Sequence, residues 1–223
     1  MNILIAAPVR NRGWILNQYM SCLKNLNISD NISYYFILND CTDDSKEILD
    51  YYIEKEIDEM NFNTPSDMGE NGQGRSGLQR ELYTYKNLSV LRNKILEYAR
   101  NTNVDYIFSV DTDILVKPDI LEKLLSTEKD IVAALINNGG KNWNFLHFQG
   151  DRGYVPEKLF EVRVTGACYL ISRNVFMNES IKYSNEFGSG EDEAFCEYAR
   201  RQGFHSYVLP DEQIHVMRRR GDN

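Results

Sequence analysis

An apolar run, Tyr106-Ile107-Phe108-Ser109-Val110, stops abruptly at Asp111-Thr112-Asp113 and gives way to Ile114-Leu115-Val116-Lys117-Pro118. Aromatic and β-branched residues in a run of this length predict a buried strand, and the acidic stop puts carboxylates at its C-terminal end. In open α/β sheets that end is where ligands bind. As alternate residues of an extended chain, Asp111 and Asp113 would project to one side and could share a single hard cation. The same residues would equally serve to begin a loop, so the neighbouring segments must decide.

Ile3 to Ala7 is a second continuously apolar run, broken by Pro8-Val9-Arg10-Asn11-Arg12-Gly13. From Trp14 to Leu26 the apolar residues recur at helical spacing. Ser33 to Leu38 predicts another strand, ending in Asn39-Asp40-Cys41-Thr42-Asp43-Asp44-Ser45. A helix is expected to start near Thr42 or Asp43 and run through Ile53. Strand and helix in this alternation predict a parallel α/β sheet. Residues from about Asn61 to Gly77 are polar and glycine-rich, a composition that reads as a long loop and leaves a third strand hard to place. Helical periodicity resumes from Glu81 to Arg100, with Arg92 on the helix.

Beyond the aspartate pair, Pro118 to Leu125 predicts a short helix and Ile131 to Ile136 a buried strand. Trp143 and Phe145 lie in a polar loop, where stacking on a ligand and core packing are both open to them. Extended segments flank Gly166, and Gly190-Glu191-Asp192-Glu193 opens a helix. His205 to Pro210 predicts a late strand, followed by Gln213 to Val216 and the basic end Arg218-Arg219-Arg220.

A length of 223 residues suits one large domain. The net charge of −8 argues against general nucleic-acid binding, which draws on clustered Lys and Arg. Cys22, Cys41, Cys168 and Cys196 show no paired metal-ligand spacing, and reduced, semi-buried thiols suit a cytosolic chain. The N-terminal apolar run is too short for a signal peptide, and no stretch reaches the roughly 20 apolar residues of a membrane span. A cytoplasmic protein is expected, free or at the inner face of the membrane, with any membrane contact peripheral.

Taken together, the ends of the first two strands, Arg92, the Asp-Thr-Asp, the Gly-Glu-Asp-Glu and the late histidine resemble a GT-A glycosyltransferase of the family-two type and its relatives. The resemblance covers nearly the whole chain and implies a single Rossmann-like domain with a mostly parallel central sheet flanked by helices. About residues 1–113 would form its nucleotide-binding half, about 114–217 its acceptor-binding half, and 218–223 a basic tail. It further implies that Pro8, Val9, Arg10, Asp40, Arg92 and Asp111 hold the nucleotide, and that Asp113 and His215 bind Mn²⁺ or Mg²⁺. Asp192 would be the catalytic base, with Glu191 and Trp143 on the acceptor. The implied activity is transfer of a hexose from a UDP- or GDP-sugar, by inversion, to a hydroxyl of a carbohydrate, lipid-linked or protein acceptor. The alternatives are a retaining enzyme of the same fold, a nucleotidyltransferase that makes the sugar nucleotide, or a non-catalytic nucleotide- or carbohydrate-binding module. Against the nucleotidyltransferase, the glycine-rich, lysine-containing phosphate loop expected after strand one is missing.

Overall fold

The computed structural model describes residues 1–54, 56–62, 85–140, 142–151, 153–187 and 190–217. Most of the glycine-rich 61–77 stretch and the basic tail lie outside the described residues. Strand β1 (Asn2–Val9) is the apolar N-terminal run, and it pairs in parallel with β2 (Asn31–Asn39) on one side and β4 (Tyr106–Val110) on the other. β3 (Ile57–Met60) extends the sheet in parallel beyond β2. This is the third strand, which the sequence pattern leaves hard to place. Its four residues, two of them acidic, offer no apolar run, and pairing with the edge of β2 is what makes them a strand.

The second half reverses a central strand and two at the edge. β10 (Cys168–Ser172) runs antiparallel between β4 and β6 (Ile131–Ile136). β11 (Ser206–His215) then pairs in parallel with β6 and antiparallel with β5 (Ile114–Leu115) and β8 (Phe160–Val162). Among the described residues these strands form one nine-stranded mixed sheet, while β7 (Phe145–Leu146) and β9 (Val164–Thr165) make a separate two-stranded pair. The sequence pattern predicts two late segments where β11 is one strand. Its register shifts between Leu209 and Glu212, and this bulge absorbs Pro210, which has no N–H to give to a ladder.

Because the central strands are apolar at nearly every position, their side chains alternate into two cores rather than one. Leu4, Ala6, Ile107 and Ile171 face a layer with α3 (Lys86–Arg100) and α6 (Glu191–Arg201). Ile3, Ile5, Phe108 and Leu170 face the opposite layer, with α1 (Gly13–Lys24), α2 (Ser45–Tyr52) and α4 (Ile120–Ser126). α2 starts later than its capping residues suggest, after Asp44, because Asp43 is spent on the backbone N–H groups of Gly13 and Ser45. A short α5 (Arg173–Phe176) follows β10. Phe145 is 1% exposed and belongs to the core, so of its two readings packing is the one realised.

The reversed strand also shapes the C-terminal edge of the sheet. Cys168, the first residue of β10, sits beside Val110, the last of β4. The chain entering β10 therefore crosses that edge, and the Asp111 N–H donates to the Ala167 carbonyl at 2.7 Å.

Candidate active site

Past Val110 the backbone turns, with the Ile114 N–H donating to the Asp111 carbonyl at 2.9 Å. The turn corrects the expectation of an extended pair sharing one cation: the two carboxylates bind different partners. Asp111 Oδ1 accepts from Arg92 Nη2 at 2.8 Å. Asp113 Oδ2 accepts from Arg12 Nη2 at 3.2 Å and stands 3.9 Å from His215 Nε2. Strand pairing brings His215 there, since it lies opposite Ile114 in the β5–β11 ladder and the Val216 N–H donates to the Asp113 carbonyl at 2.9 Å. Burial alone would raise the Asp113 carboxyl, but His215 and Arg12 hold it below the usual carboxylate value. The same carboxylate raises the His215 imidazole against the opposing effect of burial.

Arg92 is not a solvated helix charge. It is 4% exposed and its guanidinium joins three elements. Nη2 reaches Asp111, Nη1 reaches Ser109 Oγ at 3.2 Å on β4, and Nε reaches Glu191 Oε1 at 3.0 Å at the start of α6. Burial works against the charge, but the surrounding carboxylates outweigh it and keep Arg92 cationic. Glu191, expected on an acceptor, is itself 4% exposed and turned inward on this guanidinium.

Asp192 follows on the first turn of α6. Gly190 enters that helix at φ +126°, which a residue with a side chain rarely adopts. None of the three acidic residues of the turn is used as a cap: Glu191 pairs with Arg92, Glu193 with Arg163 at 2.9 Å, and Asp192 Oδ1 accepts from Tyr169 Oη at 3.2 Å. Tyr169 is in turn hydrogen-bonded to Tyr183 Oη. Asp192 packs on Gly166 so closely that a Cβ there would fall 2.0 Å from Oδ2. Burial pushes the Asp192 carboxyl up to about 8; Arg92 pulls it down, and Glu191 and Asp111 push it up again. A half-buried carboxylate at a strand-end cleft, held by a phenol and kept basic near neutrality, has the character of a general base.

The expected nucleoside contacts are less uniform. Arg10 is half-buried, and its Nε is enclosed without a hydrogen-bond partner. Pro8 is half-buried at the end of β1, whereas the Val9 side chain is wholly in the core and leaves only its backbone at the site. Asp40 adopts φ +46°, and its Oδ1 accepts from the Phe62 N–H at 3.0 Å, a turn-stabilising role. Trp143 is half-buried, bridges to Asn137 and packs against the core. Arg12, Gly166, Tyr169 and Tyr183 join the site without having been singled out by the sequence pattern. Arg12 is carried by the same Arg-Asn-Arg as Arg10, and Gly166 interrupts two extended segments, so both leave a trace in the sequence. The two tyrosines leave none, being embedded among ordinary core residues.

Among the described residues no three His, Cys, Asp or Glu side chains gather as a metal cluster. Asp113 and His215 nonetheless suit a divalent ion completed by phosphate oxygens and water, since such ions are commonly bound by one or two protein groups plus a substrate. The His215 Nδ1 is buried on the side of the Asn137 backbone, with no hydrogen bond of normal geometry, which leaves Nε2 as the nitrogen turned to Asp113. No helix of the described residues is long and apolar enough to cross a membrane.

A mixed sheet whose strand ends carry a split aspartate pair, with an acidic turn opening a late helix, has the fold of GT-A nucleotide-diphospho-sugar transferases. The fold superposes on solved members across almost its whole length. Staphylococcus aureus TarS 1–349 in complex with UDP-GlcNAc matches with a TM-score of 0.63 at 15% identity, over 100% of this chain and 60% of that one. A Pyrobaculum calidifontis mannosyltransferase in complex with GDP-Man and Mn²⁺ gives 0.61 at 11% identity, over 99% and 58%. Glucosyl-3-phosphoglycerate synthase from Mycobacterium tuberculosis gives 0.59 at 12% identity, over 98% and 72%.

Residues 1–157 match glycosyltransferase family 25, N-terminal domain, and the chain belongs to that family. A Drosophila melanogaster glycosyltransferase 25 family member is 26% identical over 148 residues, 64% of this chain and 24% of its own length. A Danio rerio protein named procollagen galactosyltransferase 1 is 28% identical over 160 residues, 68% of this chain and 26% of its own. The chain thus spans about a quarter of the length of these curated relatives. Asp192 and His215 lie beyond the residues of the family match.

Proposed function

We propose that this chain transfers a hexosyl group from a nucleotide-diphosphate sugar, UDP- or GDP-linked, to an acceptor hydroxyl with inversion. The single observation that carries the reading is that buried Arg92 pairs with both Asp111 and Glu191, the residue before Asp192, and so joins the strand-end carboxylate to the acidic start of α6. The likeness to proteins solved with UDP-GlcNAc and with GDP-Man supports a sugar-nucleotide donor, and the zebrafish relative's name supports a galactosyl donor among the candidates.

In this reading residues 1–113 form the donor half, with Pro8, the Val9 backbone, Arg10, Asp40 and Asp111 around the nucleotide. Residues 114–217 form the acceptor half, Trp143 at its edge. The acceptor hydroxyl lies against Asp192, whose carboxylate takes its proton as the oxygen bonds to the anomeric carbon. The bond between that carbon and the diphosphate oxygen breaks, and its electron pair leaves with the diphosphate. Arg10 and Arg12 face the charge that builds on the leaving group. Arg92 orients the system by fixing Asp111 and Glu191, and Tyr169 holds Asp192 in place. Asp113 and His215 would hold Mn²⁺ or Mg²⁺, which when bound supplies further neutralisation of the diphosphate. The location proposed is the cytoplasm or the inner membrane face.

A thermal-shift panel of UDP, GDP and ADP with and without Mn²⁺ tests the donor assignment, because a ligand that binds only the folded state raises its melting temperature. The expected result is a metal-dependent shift with UDP or GDP that Asp113→Asn and His215→Ala each remove. A shift from none of the three sinks the reading. Retention of turnover in Asp192→Asn would overturn the base assignment and favour a retaining mechanism.

A further inference from the structure

A cavity of about 240 Å³ lies against α6, walled by Arg163, Val164, Phe187, Glu193 and Glu197. That is below the ~300 Å³ at which sites begin to enclose drug-sized ligands, so it has room for one ring-sized group. Its position is set by the same two elements that set the base. Glu193 is the next residue after Asp192 on α6, and Glu197 lies one helical turn further along the same face. Val164 is two residues before Gly166, on the same side of the extended chain, and Gly166 is the residue on which Asp192 packs.

The chemistry of the walls is selective. Glu193 is 8% exposed, and Oε1 is taken by Arg163 Nη1 at 2.9 Å. Its Oε2 is buried and has no hydrogen-bond partner. A carboxylate oxygen enclosed without a donor is costly, and a ligand hydroxyl would satisfy it. The broad terminal torsion of a glutamate lets the carboxylate rotate, so that a ligand hydroxyl and Arg163 would share its two oxygens. Glu197 is already compensated by Arg200 at 2.6 Å and Arg201 at 2.9 Å. Two carboxylates against three guanidiniums give an ammonium group no net attraction, and an anion would meet the Glu193 carboxylate in the wall. A neutral group bearing hydroxyls satisfies both constraints. Phe187, 38% exposed, adds an aromatic wall against which the apolar C–H edges of such a ring can pack.

We propose that this cavity is an acceptor subsite for a neutral sugar ring, with Glu193 and Arg163 reading adjacent hydroxyls and Phe187 packing on the ring. The proposal rests on the reading of Asp192 as the acceptor-side base, since the cavity's Glu193 is the next residue to it on α6.

Saturation-transfer NMR on the full chain tests it, using millimolar methyl β-galactoside, methyl α-glucoside and methyl α-mannoside, each with and without UDP and Mn²⁺. At least one glycoside should show transfer that persists when UDP is present. Its affinity should fall about tenfold in Phe187→Ala, the range an aromatic contact supplies. Glu193→Ala should weaken it too, with circular dichroism confirming the fold; Phe187 is exposed enough that its variant stays informative if Glu193→Ala does not fold. Transfer from none of the glycosides, transfer abolished by UDP, or transfer unchanged in Phe187→Ala would each overturn the proposal. So would stronger, Phe187-dependent binding of N-acetyl-lysine methylamide, which would make the site cation-selective. The UDP melting shift, read on the same samples, separates the two readings: if it is present while the glycosides fail, the subsite falls and the donor reading stands.

Discussion

Asp192 is governed by its nearest atoms. Tyr169 donates to its charged form, so Tyr169→Phe removes a contact that lowers the carboxyl and lets it rise further. A base acts only when deprotonated. The acid limb of kcat/KM against pH should therefore move to higher pH in Tyr169→Phe while the high-pH plateau is largely kept. Gly166 sets position instead of basicity. In Gly166→Ala the new Cβ would stand 2.0 Å from Oδ2, so the carboxylate must swing away. Displacement of a catalytic group by about 1 Å costs on the order of 10²-fold in kcat. Calorimetric UDP affinity should be largely kept, because the new Cβ meets Asp192 and none of the residues assigned to the nucleotide; a matching loss of UDP binding would contradict this division of labour.

At the level of elements, Arg92 ties α3 to the end of β4 and to the start of α6. Removing one partner of a buried ion pair leaves the others charged and unsatisfied, which costs about 3–5 kcal/mol. Arg92→Met should lower the unfolding free energy in urea by that order, and the loss should be smaller in the Arg92→Met/Glu191→Gln double variant, which leaves one fewer orphaned charge. Additive losses would show that the pair is not coupled. The β5–β11 pairing plays a corresponding part on the other side of the site, since it carries the late His215 back to Asp113.

For the whole molecule, the raised carboxyl of Asp192 has a consequence for stability. Its folded-state pKa exceeds the unfolded value, so between the two the native state binds more protons and stability falls as pH rises. The penalty is absent below the unfolded carboxylate pKa and complete above the raised one. Asp192→Asn removes it, and the melting temperature of the variant relative to wild type should climb from pH 4 to pH 9. A flat difference across that range would mean that Asp192 titrates normally.

How much of the fold and the site is legible in the sequence depends on the kind of residue. Ile3 to Ala7 and Tyr106 to Val110 announce central strands because an uninterrupted apolar run has few other fates. Asp111, Asp113, Asp192 and His215 stand out because charged or titratable groups placed at the ends of such segments need a purpose. The sequence by itself thus determined the alternation of elements, the two-layered cover of the sheet and the order of the candidate chemical groups, all of which follow from local polarity. It could not show that Asp111 and Asp113 part company, because a turn closed by one backbone hydrogen bond decides that. Nor could it find β3, whose strand state comes from an edge partner, or distinguish Tyr169 from any other core aromatic. Only the tertiary structure set Glu191 inward on Arg92, laid Gly166 under Asp192 and left a buried oxygen of Glu193 without a hydrogen-bond partner in the wall of a cavity. Each joins residues remote in the chain, and the reversed insertion of β10 beside β4, a choice of strand order that local sequence does not encode, places Ala167, the residue after Gly166, against Asp111.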